Sequence, residues 1–197
     1  MSQSLATAGI LMIFDTRGHS ATAWDDSLMP AGFGTAQKEP FESWQKRNNQ
    51  ALAHLHPAIS EQWIYRHWIS SPYKNLPIEG LTWRQERWKT DKILDEVFRR
   101  WPSGPLEPEF DYSTFHGKGF EPALTMDKTG SWNYPIVILE TPEGVRTSSS
   151  TLANVRYCLI EGHQRVRYLN ALKSRGECAD EHLAFIISSS AVAKPSR

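Results

Sequence analysis

The sequence predicts an α/β (α+β) fold with a helical extension on its N-terminal side, and three observations carry that prediction. Short apolar runs occur at Ile136–Leu139, Tyr157–Ile160 and His182–Ile187, and a helical pattern separates the last two. Residues 40–101 instead carry large apolar side chains three or four residues apart. Pro102, Gly104, Pro105 and Pro108 separate the two regimes, as a domain boundary would. The expected organisation is a flexible or partly extended segment over 1–39, a helical extension over 40–105, an α/β domain over 106–190 and a tail over 191–197.

Taken in order, the apolar run Ala8–Phe14 is a short strand or a sticky segment. No Lys or Arg precedes it, as a secretory signal would require, and it is far too short to span a bilayer. A cytoplasmic protein without a membrane partner is therefore expected. Residues 15–40, rich in Gly, Ser, Thr, Ala and Pro, form loop. Phe41, Trp44, Asn48, Leu52 and Leu55 predict a helix that ends before Pro57, and Ser60 with Glu61 signals the start of a second, carrying Trp63, Ile64 and Trp68. Asn75–Gly80 reads as a connector.

Arg84–Trp101 gives the clearest helical stripe, with Trp88, Leu94, Val97, Phe98 and Trp101 on one side. Its six cations and four anions suit a solvated face. Trp63, Trp68, Trp88 and Trp101 read as core, with base stacking or partner docking as the alternative. Beyond the prolines the signals turn to strands: Tyr134–Leu139 closed by the turn Thr141–Gly144, then the polar loop Thr147–Thr151, then the strand Tyr157–Ile160. A helix over Gln164–Ser174 stops at Gly176, with Val166, Leu169 and Leu172 on one face, before the last strand.

Composition narrows the function. Lys plus Arg equals Asp plus Glu at 22 each, so a general nucleic-acid coat is excluded and any basic site must be local. One such patch is Arg156–Arg175, where Arg156, Arg165, Arg167, Lys173 and Arg175 face only Glu161. Cys158 and Cys178 form no CxxC and no zinc spacing, so a structural metal and a disulfide framework are not expected.

The patch contains Tyr157-Cys158-Leu159-Ile160-Glu161-Gly162-His163-Gln164-Arg165, an apolar strand that breaks at a glycine and opens a helix. Free N–H groups and the macrodipole favour an anion there, and Arg165 adds a donor fork. Gly162, His163, Gln164 and Arg165 are therefore the candidate phosphate or nucleotide site. His163, Glu161 and Arg165 are the candidate catalytic residues, acting as general acid, base and charge stabiliser. Glu161 is also the candidate Mg²⁺ ligand, or else a carboxylate that caps the helix. Arg167 and Lys173 are either a solvated basic face or a track for a DNA backbone. Hydroxyls of Thr147–Thr151, or Lys128-Thr129-Gly130, are secondary phosphate contacts.

The order Pro135-Ile136-Val137-Ile138, then Leu159-Ile160-Glu161-Gly162-His163-x-Arg165, then Tyr168-Leu169-x-Ala171-Leu172 and a final apolar strand resembles the ParB/sulfiredoxin-like superfamily over residues 120–190. The resemblance implies a small mixed sheet with helices, and a turn that binds nucleotide phosphates, with ATP or another nucleotide and Mg²⁺ as expected cofactors. Sulfiredoxins carry a reactive cysteine followed by His-Arg in this turn. His163-Gln164-Arg165 lacks it, which disfavours sulfinic-acid repair, and Gln164 puts any two-histidine mechanism in doubt. Little chain follows Ile187, which leaves no room for the helix-turn-helix module of partition proteins. The leading expectation is thus a metal-assisted phosphoester hydrolase, a nuclease or nucleotide hydrolase in plasmid or DNA-transfer control such as fertility inhibition in conjugation. Two alternatives stand beside it: a non-catalytic inhibitor of a protein partner in the DNA-transfer machinery, and a nucleotide-dependent small-molecule kinase. The expected partners are accordingly a nucleotide, DNA, or that protein.

Overall fold

Alternation along three apolar runs builds the centre of the molecule. A computed structural model of the chain describes residues 13–17, 23–100, 106–119 and 121–189. Strand β1 is Phe14–Asp15, and helices α1 (Phe41–Arg47), α2 (Asn49–Leu52) and α3 (Pro57–Ile59) follow, the last continuing as a π-helical segment, Ser60–Tyr65. Then come β2 (Leu81–Lys89), α4 (Thr90–Glu96), β3 (Val97–Phe98), α5 (Pro108–Phe115) and α6 (Glu121–Thr129). The C-terminal part holds β4 (Ile136–Glu140), β5 (Val145–Arg146), β6 (Thr151–Leu152), β7 (Tyr157–Glu161), α7 (His163–Arg175) and β8 (Glu181–Ser189).

The main sheet has the order β2-β8-β4-β7-β3. Strand β4 is parallel to β8 and antiparallel to β7, so β7 and β8 run in opposite directions on either side of it. Helix α7 therefore joins them without the parallel crossover of a βαβ unit. The β4 residues Ile136 and Ile138 pack with Leu159, Ala184 and Ile186 on one face, and Val137 and Leu139 pack with Cys158, Ile160, Phe185 and Ile187 on the other. Burial on both faces explains why these strands read as unbroken apolar runs. A smaller sheet, β1-β5-β6, pairs Phe14 with Val145 and Val145 with Leu152.

Helices cover both faces. On one lie α4 to α7, with Ile93, Phe115, Met126, Val166, Leu169 and Leu172 in contact with the sheet. The other is covered by the N-terminal half through Trp24, Trp44, Ile59, Trp63, Ile64, Trp68, Tyr73 and Ile78. Trp63, Trp68 and Trp88 are core, as expected, while Trp101 lies outside the described residues.

The helical extension expected over 40–105 is helical only in part. In place of one helix over Arg84–Trp101 the chain forms β2, α4 and β3, and both strands belong to the main sheet. The reason is long-range: β2 pairs with β8 along its whole length, from Leu81 opposite Ser189 to Lys89 opposite Glu181. That ladder outweighs local helical spacing. The charges at Arg84, Glu86 and Arg87 suit an edge strand that must not pair further. Helix α1 ends at Asn48 and α2 restarts there, still short of Pro57. Ser60 is not an N-cap, because α3 begins at Pro57, where the His56 ring accepts from the Ala58 N–H. Beyond the prolines, two helices, α5 and α6, precede the strands. Most of the run Ala8–Phe14, part of the loop over 15–40 and the tail over 191–197 lie outside the described residues.

Candidate functional site

Strand β7 ends at Glu161, and Gly162 turns the chain into α7 with φ 106°. A side chain has no room here: a Cβ on Gly162 would lie 2.5 Å from Cγ2 of Ile136 on β4. Only glycine allows the helix to start this close to the sheet. The first hydrogen bond of α7 runs from the Val166 N–H to the Gly162 carbonyl at 3.0 Å, so the N–H groups of His163, Gln164 and Arg165 have no partner within the helix.

These groups border a cavity of about 810 Å³, within the range of small-molecule sites. Its wall is two-sided in chemistry. Trp63, Phe115, Pro122, Ala123, Met126 and Ile160 are apolar, whereas Arg66, His67, Ser70, Arg100 and the Glu161–Arg165 turn are polar. The lining comes from the π-helical segment and the loop after it, Arg100 beyond β3, α5, α6, Tyr134, the end of β7 and the start of α7.

The expected site residues Glu161, Gly162, His163, Gln164 and Arg165 all lie on this cavity. Their roles differ. Arg165 is buried and its guanidinium is already engaged: Nη1 donates to the carbonyls of Tyr134 and Pro135, the latter at 3.3 Å, and Nη2 donates to Gln62 Oε1 at 2.7 Å. Glu161 Oε1 is a further 3.6 Å neighbour. Gln62 in turn donates to the Pro135 carbonyl at 2.9 Å. Burial lowers the pKa of Arg165, against the pull of Glu161. The residue expected to be an open phosphate fork is a clamp joining α7, the lead into β4 and the π-helical segment.

His163 is different. Its Nε2 is buried without a hydrogen-bond partner, and desolvation, with His67 and Arg165 nearby, drives its pKa down to about 4. The ring is neutral and one nitrogen is unused. Arg100 carries a second such atom: Nη2 donates to the Arg17 carbonyl at 3.0 Å, but Nη1 is buried and unpartnered. Arg66 pairs with Glu61 at 2.9 Å, and Glu61 also accepts from the Tyr134 hydroxyl. Gln164 is exposed.

Glu161 faces nitrogen atoms on both sides. Its Oε2 is 3.5 Å from His67 Nε2, and the other ring nitrogen of His67 is 3.4 Å from the Ser70 hydroxyl. As a Mg²⁺ site this donor set fits poorly, because Glu161 is the one carboxylate among the described residues lining the cavity and both its oxygens have nitrogen neighbours. Among the described residues no group of three His, Cys, Asp or Glu side chains could hold a metal ion.

Arg167 and Lys173 each pair with a carboxylate of a neighbouring helix. Arg167 grips Asp111 of α5 at 2.5 Å, and that carboxylate is fully buried. Lys173 pairs with Asp91 of α4, and Arg175 with Glu109 of α5 at 2.6 Å. Three of the five cations of the basic patch, Arg167, Lys173 and Arg175, are thus paired with carboxylates of neighbouring helices. The Thr147–Thr151 loop is bonded to itself through Thr147, and neither it nor Lys128-Thr129-Gly130 borders the cavity.

Sequence reading missed Arg66, His67, Ser70 and Arg100. They lie in the N-terminal half, where no local spacing linked them to the glycine turn. No helix among the described residues is long and apolar enough to cross a membrane. Comparison with known proteins finds no matching family model, no matching curated protein and no matching solved structure.

Proposed function

We propose that the protein binds a nucleotide, or a phosphate-bearing small molecule of similar size, in the cavity at the start of α7. The observation that carries this reading is the pair of unpartnered buried nitrogens, Arg100 Nη1 and His163 Nε2, on the wall that also presents the free amides of α7. An unpaired buried donor is costly, and an anion that accepts from it recovers that cost. The two-sided lining suits a ligand with a charged end and a flat apolar body. The phosphates lie at Arg66, Arg100 and the α7 amides, and the base or equivalent ring lies against Phe115, Met126 and Ile160. With α7's cations already paired, a small ligand in the cavity is favoured over a duplex on the helix face. Side chains neutralise the phosphates, so any Mg²⁺ arrives as part of the ligand.

The test is a thermal-shift series with ATP, ADP, CTP, GTP and inorganic phosphate, with and without Mg²⁺. At least one nucleotide at about 100 times its Kd should add about 2.7 kcal/mol to native stability and raise the midpoint accordingly. In Arg100→Ala that rise should largely vanish. A midpoint unmoved by every nucleotide, or an unchanged rise in the variant, would overturn the reading.

A further inference from the structure

The geometry points to Ser70 as a nucleophile, with His67 as its base and Glu161 as the residue that orients the base, acting on the phosphoryl group of the ligand proposed above. The three side chains come from different places, since His67 and Ser70 follow the π-helical segment and Glu161 ends β7. All three line the cavity.

The chain of contacts is continuous. The Ser70 hydroxyl lies 3.4 Å from His67 Nδ1, and His67 Nε2 lies 3.5 Å from Glu161 Oε2. Glu161 holds the proton on Nε2, which leaves Nδ1 as the acceptor for the serine proton. Both separations are longer than a tight hydrogen bond, as is common before a ligand closes on such a group. The neighbouring Ser71 is not equivalent. Its oxygen already accepts from Trp63 Nε1 at 3.1 Å and from the Tyr73 N–H at 3.3 Å, whereas Ser70 is exposed. Glu161 is itself steadied by Arg165, which the clamp to Gln62 and the carbonyls of Tyr134 and Pro135 holds in place.

The step balances without a further reagent. Ser70 Oγ forms a bond to phosphorus while its proton passes to His67 Nδ1, and the bond from phosphorus to the leaving oxygen breaks. That oxygen takes the proton from His67. Water, deprotonated by His67, then attacks the phosphoserine, releases phosphate and restores the hydroxyl. The free N–H groups at the start of α7 and Arg100 stabilise charge on the phosphoryl oxygens.

The test is a fluorophosphonate probe applied to the full chain, followed by peptide mapping. Attack forms the oxygen–phosphorus bond and expels fluoride, so no unknown substrate is needed. Label should appear on Ser70, disappear in Ser70→Ala, and form at least tenfold more slowly in His67→Gln. Absence of label on Ser70, or an unchanged rate in His67→Gln, would overturn the assignment. Nucleotide thermal shifts on Ser70→Ala are measured in parallel. A retained shift without labelling of the wild-type chain defeats the nucleophile and spares the binding reading, while labelling without any shift does the reverse.

Discussion

Replacing Gly162 with Ala tests whether the close approach of α7 to β4 is what the turn requires. Two costs add. Any residue with a Cβ at φ 106° is in the left-handed region, which costs on the order of 1–2 kcal/mol. The new methyl would also lie 2.5 Å from Ile136 Cγ2 and 3.0 Å from its Cβ, inside a fully buried sheet position, and overpacking of that kind costs roughly 1–3 kcal/mol. The sum is about 3 kcal/mol. In urea, with a slope of about 2 kcal/mol/M, the midpoint should fall by about 1.5 M with an unchanged slope. The variant Ile136→Ala removes the clashing methyl, so the double variant should be less destabilised than the sum of the two singles by about 1–3 kcal/mol. Strict additivity would refute the clash, and a midpoint within about 0.3 M of wild type would refute the strained turn altogether.

Two further outcomes follow from groups buried in the native state. An open phosphate fork at Arg165 would let Arg165→Ala abolish ligand binding without unfolding the protein. The clamp to Gln62, Tyr134 and Pro135 instead predicts a loss of about 3–5 kcal/mol in urea denaturation, so a stability within about 1 kcal/mol of wild type would contradict its structural role. His163 and His182 are both held neutral with pKa values of about 4, chiefly by desolvation; His182 is further fixed between Thr90 and Ser131, each 2.8 Å away. Because these folded pKa values lie below the unfolded value of about 6.5, the stability they contribute is complete above that pH and is lost as pH falls toward 4. At pH 5 the loss is about 2 kcal/mol for each ring. A urea midpoint that does not change between pH 7 and pH 5 would contradict this, and a bound phosphate should blunt the share of His163.

The legible part of the fold was the part made by short-range pattern. Strands β4, β7 and β8 are buried on both faces, so each appears as an apolar run, and the glycine between β7 and α7 marked the turn at which a ligand site was expected. Strand β2 was not legible, because its polar Arg84, Gln85, Glu86 and Arg87 form no apolar run and its partner β8 lies about a hundred residues further along the chain. The N-terminal half looked like a separate extension for a similar reason: its aromatic residues announce burial but do not name the surface that buries them.

At the site, sequence alone determined that a helix starts at a glycine turn, since a glycine turn followed by unbonded amides is a local property of Glu161–Arg165. Tertiary structure decided what surrounds that start. Packing the N-terminal layer over the sheet spends the charge of Arg165 on Gln62 and two carbonyls, and it brings Arg66, His67, Ser70 and Arg100 to the same cavity. Hydrogen-bond partners and shared cavities depend on distances in space, and the spacing of residues along a chain does not encode those distances.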